Sequence, residues 1–316
     1  MLLIGLRRVS RRNLFFLGKE NHMLERLEMR AARGVLLCDG AMGTMLQARG
    51  LLPGACPEAW CVDRPDDVAA VHQAYRDAGS EIVECNSFGG NRYKLRHYGL
   101  EGRADEINRA AAALGRRVAA GTQHVLSSMG PTGQFMEPYG DETEAAFYDC
   151  FRKQALAFEA CGADAVIVET MTALEECCVA VRAVRENTGL SVVASFTFDP
   201  QPGGGYASMM GVRPEAFAEA AVAAGAHVVG SNCGLGPDHM VAIVATIKRA
   251  AGAVPVLAMP NAGMPVIENG RTVFKETPAA MAATMRAMIE AGAAVIGGCC
   301  GTTPAHIAAF RALLDA

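Results

Sequence analysis

Three cysteines in two glycine-rich settings carry the most specific chemistry in this chain: Cys233 in SNCG, and the adjacent pair Cys299 and Cys300 in GGCCGTTP. Gly234, Gly297, Gly298 and Gly301 flank them and leave the backbone free to bend, so that the three side chains can reach a common point. Three thiolates suit a soft divalent cation such as Zn2+ and leave one corner of a tetrahedron open, which is the pattern of a catalytic site rather than a closed structural one. Such a centre carries a net charge of about −1 and is a poor Lewis acid for making hydroxide. It is better suited to holding a substrate thiol as thiolate, because a free thiol with a pKa of about 8.5 is mostly protonated at neutral pH. The chemistry is then attack of sulfur on an electrophilic carbon, an S-alkylation. A lone cysteine in SNCG would read as packing, and a vicinal disulfide at 299–300 would be strained. Two thiol-bearing motifs, each embedded in glycines and each closing an apolar run, favour the metal.

Those runs are part of a rhythm that starts at Val35. Short apolar stretches occupy 35–40, 81–88, 124–130, 165–170, 191–198, 227–233, 255–261 and 294–301, and an Ala-rich amphipathic stretch follows each. Their apolar residues are nearly continuous rather than alternating, as in parallel strands covered on both faces. Four joints repeat one pattern, DAGSEIVE, ACGADAVIVE, AAGAHVVG and EAGAAVIG, in which glycine ends a helix and the next strand begins at once. Pro65 with Asp66-Asp67, Pro214-Glu215, Thr277-Pro278 and Thr303-Pro304 mark helix starts. Eight such units predict an α/β fold, a single (β/α)8 TIM barrel. A doubly wound sheet is disfavoured because no GxGxxG turn follows the first run. In a barrel the chemistry belongs at the C-terminal ends of the strands, and Asp39, Asn86, Glu169, Asn232, Cys233, Asn261, Cys299 and Cys300 all fall there.

Composition bounds the rest. Of 316 residues 51% are hydrophobic, which excludes a disordered chain. No apolar run reaches the ~18–20 residues of a membrane-spanning helix. The net charge of −4 gives no general attraction to nucleic acid or to a membrane surface. Eleven cysteines are an odd number in a long Ala-rich chain, which suits reduced thiols and a cytoplasmic location better than a disulfide scaffold. Residues 1–22 interleave basic residues with two short apolar patches, an order that no secretory signal has. They are expected to be a poorly ordered extension, or to lie upstream of a true start at Met23, with the barrel as the domain 23–316.

In order along the chain, DGAMGT (39–44), NSFGGNRYKL (86–95), GPTG (130–133), ET (169–170), SNCGLGP (231–237), PNAG (260–263) and GGCCGTTPAHI (297–307) fit one family. From about Val35 to its end the chain resembles the zinc-dependent homocysteine S-methyltransferases, and most of all the homocysteine-binding barrel of cobalamin-dependent methionine synthase. The resemblance implies that Cys233, Cys299 and Cys300 hold zinc and that homocysteine sulfur is the fourth ligand. It also places the amino-acid end of the substrate near Asp39 and Glu169, two carboxylates suited to an ammonium group. The N–H groups of the Ala41-Met42-Gly43 turn are candidates for the substrate carboxylate. Asn261 is a candidate to line the pocket, or to fill the fourth zinc position when substrate is absent.

Residue spacing does not identify the methyl donor. Folate, cobalamin and activation domains are not expected in this chain, and LGP after Cys233 with PNAG resembles the cobalamin-dependent branch. The expected partner is therefore a separate methylcorrinoid protein. The alternatives are a small donor such as S-methylmethionine or betaine, another thiol acceptor, or a non-catalytic subunit that binds a corrinoid protein and uses zinc for structure. Elsewhere the plain readings hold: Cys38, Cys85, Cys177 and Cys178 as packing, Met209-Met210 as packing, and the Gly-rich 199–205 segment as a surface loop.

Overall fold

The computed structural model describes residues 24–268 and 271–316; the expected extension at 1–22 lies outside them. Each apolar run contains one strand: β1 (Leu36–Leu37), β2 (Ile82–Cys85), β3 (His124–Met129), β4 (Ala165–Met171), β5 (Ser191–Phe196), β6 (Val228–Asn232), β7 (Val256–Met259) and β8 (Ala293–Ile296). They form one parallel sheet in the order β1-β8-β7-β6-β5-β4-β3-β2. The two ends of that order meet and nearly close a barrel. The seam is stitched by Glu81 N–H donating to Leu37 O at 2.7 Å and by Glu84 N–H donating to an Asp39 carboxylate oxygen at 3.0 Å.

Around the barrel stand α1 (Pro65–Asp77), α2 (Ala104–Ala119), α3 (Glu144–Ala160), α4 (Leu174–Asn187), α5 (Pro214–Ala224), α6 (Pro237–Ala251), α7 (Pro278–Glu290) and α8 (Pro304–Leu314). Proline occupies the first turn of α1, α5, α6, α7 and α8, where its missing N–H costs nothing. Thr303 and His306 form a reciprocal cap on α8. The four repeated joints put Gly79, Gly162, Gly225 and Gly292 at φ of 97°, 92°, 104° and 109°. Any side chain there would be strained, so glycine is what allows each helix to turn directly into its strand.

Two apolar layers hold the fold. Leu36, Ile82, Leu126, Ile167, Val193 and Leu257 fill the barrel interior, and a larger layer separates the strands from the helices. The short helix Leu27–Ala31 adds Leu27 and Ala31 to the interior. Arg26 donates to Gly189 O just before β5, and Ser191 donates to Glu28, so this helix closes the end where the strands begin. Among the described residues no helix is long and apolar enough to cross a membrane. The 199–205 segment, expected as a loop, leads through a small hairpin in which Asp199–Pro200 pairs with Tyr206–Ala207.

His72 on α1 is fully buried, and neither ring nitrogen has a hydrogen-bond partner. Burial lowers its pKa from 6.5 to about 4. The unfolded chain therefore binds this proton first as pH falls, and stability drops between pH 6.5 and about 4. The full effect is on the order of 3 kcal/mol. In His72→Leu, urea unfolding measured from pH 7 to pH 4 is expected to lose less stability than wild type by about that amount. Parallel curves for the two proteins would rule this out.

Candidate active site

Cys233 follows the last residue of β6, while Cys299 and Cys300 follow β8. Their Sγ atoms all lie within 4.8 Å of one another, with Cys233 and Cys300 at 4.0 Å. A tetrahedral zinc with bonds of about 2.3 Å would place its sulfur ligands about 3.8 Å apart. The cluster fits that ion with adjustments of a few tenths of an ångström to an ångström. Hydrogen bonds from the Cys299 and Cys300 thiols pull Cys233 down to about 3, and those same contacts push both donors up. A bound cation would take the place of those protons and hold all three as thiolates.

The backbone achieves this convergence by bending sharply. Cys233 and Gly234 both have left-handed φ, 59° and 66°, and Gly301 has 81°. A side chain at Gly301 would stand 2.1 Å from the Phe274 ring, and one at Gly298 would strike Thr302 at 2.5 Å. The PNAG turn lies between the two cysteine loops and ties them together. Cys299 N–H donates to Pro260 O, Ala262 N–H to Cys300 O and Asn261 N–H to Leu235 O. The Asn261 side chain is buried, and its Oδ1 has no hydrogen-bond partner.

All three cysteines line a cavity of about 420 Å3 at the C-terminal end of the barrel. Glu169 and Thr170 of β4, Glu84 of β2, Ser128 of β3 and the Gly40–Thr44 turn after β1 also line it. Neither Asp39 nor Asn261 does. Asp39 is only 1% exposed and holds the seam, its Oδ2 accepting Glu84 N–H. Burial raises it to about 8. Ala41 N–H donates to Thr302 Oγ1 at 3.0 Å, so it is already committed, whereas Met42 and Gly43 face the cavity.

The residue that sequence reasoning passed over is Glu84. It sits in the apolar run IVEC, and its carboxyl hydrogen-bonds that of Glu169. Burial raises both, and Glu84 much further because the Glu169 charge faces it. Ionising both would set two like charges against each other in a buried place, so the pair favours keeping a proton between its two carboxyls. Glu169 is held by Ser128 Oγ on one oxygen and by Asn232 Nδ2, at 2.7 Å, on the other. Cys38, Asp39 and Glu84 also bring their ligand-type atoms within 4.8 Å of one another. Burial pushes the Cys38 thiol far above its ordinary range, and Asp39 already accepts from Glu84, so this group serves the seam. Cys177 and Cys178 lie on α4, away from the cavity lining.

The family model for homocysteine S-methyltransferase matches residues 36–314. Methionine synthase of Mycobacterium tuberculosis (strain ATCC 25618 / H37Rv) is 35% identical over 292 residues, covering 86% of this chain and 24% of that protein. Methionine synthase of Mycobacterium leprae (strain TN) is 32% identical over 294 residues, covering 87% and 24%. The chain thus spans about a quarter of the length of these curated relatives. Among solved structures, the metallated form of the homocysteine methyltransferase MmuM from Escherichia coli has a TM-score of 0.73 at 24% identity, covering 88% of this chain and 96% of that one. The likeness shows that the two share the barrel.

Proposed function

The chain belongs to the homocysteine S-methyltransferase family, and from that premise we propose that it binds homocysteine at a zinc ion held by Cys233, Cys299 and Cys300 and methylates its sulfur to give methionine. The observation that carries this reading is the three-thiol cluster opening onto a cavity whose other polar wall is the carboxyl pair Glu84 and Glu169. Zinc bound by the three thiolates supplies a fourth corner in which a substrate thiol stays deprotonated near neutral pH. Glu84 and Glu169 receive the ammonium group of the amino acid. The N–H groups of Met42 and Gly43 face its carboxylate. Asp39 acts through Glu84, whose backbone it fixes, and Asn261 braces the loop after Cys233 through its N–H to Leu235 O. In the reaction the S–C bond forms as the methyl leaves its donor, and the thiol proton passes to solvent.

The proposed donor is a separate methylcorrinoid protein. Among the described residues, all but one of the exposed large apolar side chains lie in loops that follow strands, at the same end as the cavity. Leu52, Tyr139, Met209, Met264 and Ile267 are each more than half exposed there, and Met209 with its neighbour Met210 is exposed against the expectation that both pack. This concentration suits a protein partner covering the cavity mouth. A small donor would need no such rim. The free state of all eleven cysteines supports work in a reducing compartment such as the cytoplasm. The test is methionine formation from zinc-loaded protein and homocysteine with, in turn, a methylcorrinoid protein, S-methylmethionine and betaine. Product is expected with the corrinoid protein. Product from a small donor alone would overturn the donor assignment.

A further inference from the structure

Building on the reading that the carboxyl pair receives the substrate's ammonium group, we infer that Asn232 is a positioning residue that ties this pair to the three-thiol cluster and thereby lets the site distinguish an amino-bearing thiol from a plain one. Asn232 ends β6 and is completely buried. Its Oδ1 accepts from Thr170 N–H at 2.9 Å and from Ser195 Oγ at 2.7 Å. A backbone N–H can only donate, so the amide orientation is fixed and Nδ2 must face the other way. There it donates to Glu169 Oε2 at 2.7 Å and to Thr170 Oγ1 at 2.8 Å, and it lies 4.0 Å from Cys299 Sγ.

One amide therefore touches both ends of the proposed substrate site. The other contact to Glu169 Oε2 is the longer one from Thr170 Oγ1, at 3.3 Å. Asn232 also precedes Cys233 in the chain, so the same residue sets where β6 delivers its thiol and where β4 holds its carboxyl. Thr170 adds a second link. It is β-branched and has a left-handed φ of 57°, a strained conformation that the two Asn232 bonds to it help to hold. Without the amide, Thr170 can relax and Glu169 can turn away from the distance that an α-amino thiol requires.

Asn232→Ala alone is an ambiguous test, since the loss of support for Thr170 could unfold the strand end. Thr170→Gly removes that difficulty, because glycine accepts the left-handed backbone without help. The probes are homocysteine and 4-mercaptobutanoate, which is homocysteine without its amino group. Binding of each to zinc-loaded protein is measured by calorimetry, alongside zinc content and thermal unfolding. Wild type is expected to prefer homocysteine by about tenfold or more, the worth of one hydrogen bond to a charged group, and Thr170→Gly, which loses the second link but keeps Asn232 on Glu169, to retain a reduced preference. The double variant Thr170→Gly/Asn232→Ala is expected to keep its zinc but to lose most of the preference that Thr170→Gly retains. If the double variant keeps both its zinc and the same preference as Thr170→Gly, the positioning role is overturned. If wild type itself shows no preference, the ammonium reading fails first, which is a separate result.

Discussion

Cys299→Ala is expected to lose zinc and methyl transfer together while keeping its barrel. The zinc-binding energy of a four-ligand site divides into roughly 3 kcal/mol per ligand, so one lost thiolate weakens binding by more than about a hundredfold. Cys299 is also the thiol that Asn232 approaches and that Pro260 and Thr302 pin through its backbone, and among the described residues the ligand group at this point has no fourth Cys, His, Asp or Glu. The fold does not depend on it, because none of the three cysteines belongs to the apolar layers inside or outside the barrel. Metal-free wild type and metal-free Cys299→Ala should therefore melt within a few degrees of each other. Added zinc should stabilise only the wild type, since a ligand raises stability only where it binds the native state. Unfolding of the metal-free variant would instead favour zinc as a structural element of a non-catalytic subunit.

Removing the carboxyl pair should strike homocysteine binding and leave the metal in place. In Glu169→Gln the carboxylate of Glu169 is gone, and Glu84, still raised mainly by burial, loses the like charge that adds to that push. It then ionises more readily than beside Glu169, and part of the attraction for the ammonium group returns. The single variant is accordingly expected to bind homocysteine about tenfold more weakly. Glu84→Gln/Glu169→Gln has no charge to recover and should lose about a hundredfold. Calorimetric titration of zinc-loaded proteins with homocysteine measures both. Equal affinity in the double variant and wild type would show that the ammonium group is bound elsewhere.

The barrel and the thiol cluster were legible in the sequence because local chemistry encodes them. Parallel strands buried on both faces leave continuous apolar runs, and positive-φ joints leave glycines at Gly79, Gly162, Gly225 and Gly292. Cys233, Cys299 and Cys300 stand at strand ends, where the fold itself sends functional side chains. Glu84 was not legible, because its role depends on the closed barrel, in which the carboxyls of two strands that are not neighbours, β2 and β4, reach one cavity. Asp39 reads as a rim carboxylate, yet closure of the barrel places it beneath the cavity with Glu84 N–H as its partner. The Ala41 N–H looked available in the turn DGAMG, but Thr302, 261 residues further on, occupies it. Asn232 stood out only as a polar strand end. The bonds that give it a role reach β4 and β5 and exist only in the assembled barrel.

The most direct measurement is zinc K-edge X-ray absorption on the zinc-loaded protein before and after homocysteine is added. Three sulfur ligands and one lighter atom are expected before addition, and four sulfurs after it. A sulfur count that stays unchanged when homocysteine binds would contradict the proposal that this cluster activates the substrate thiol.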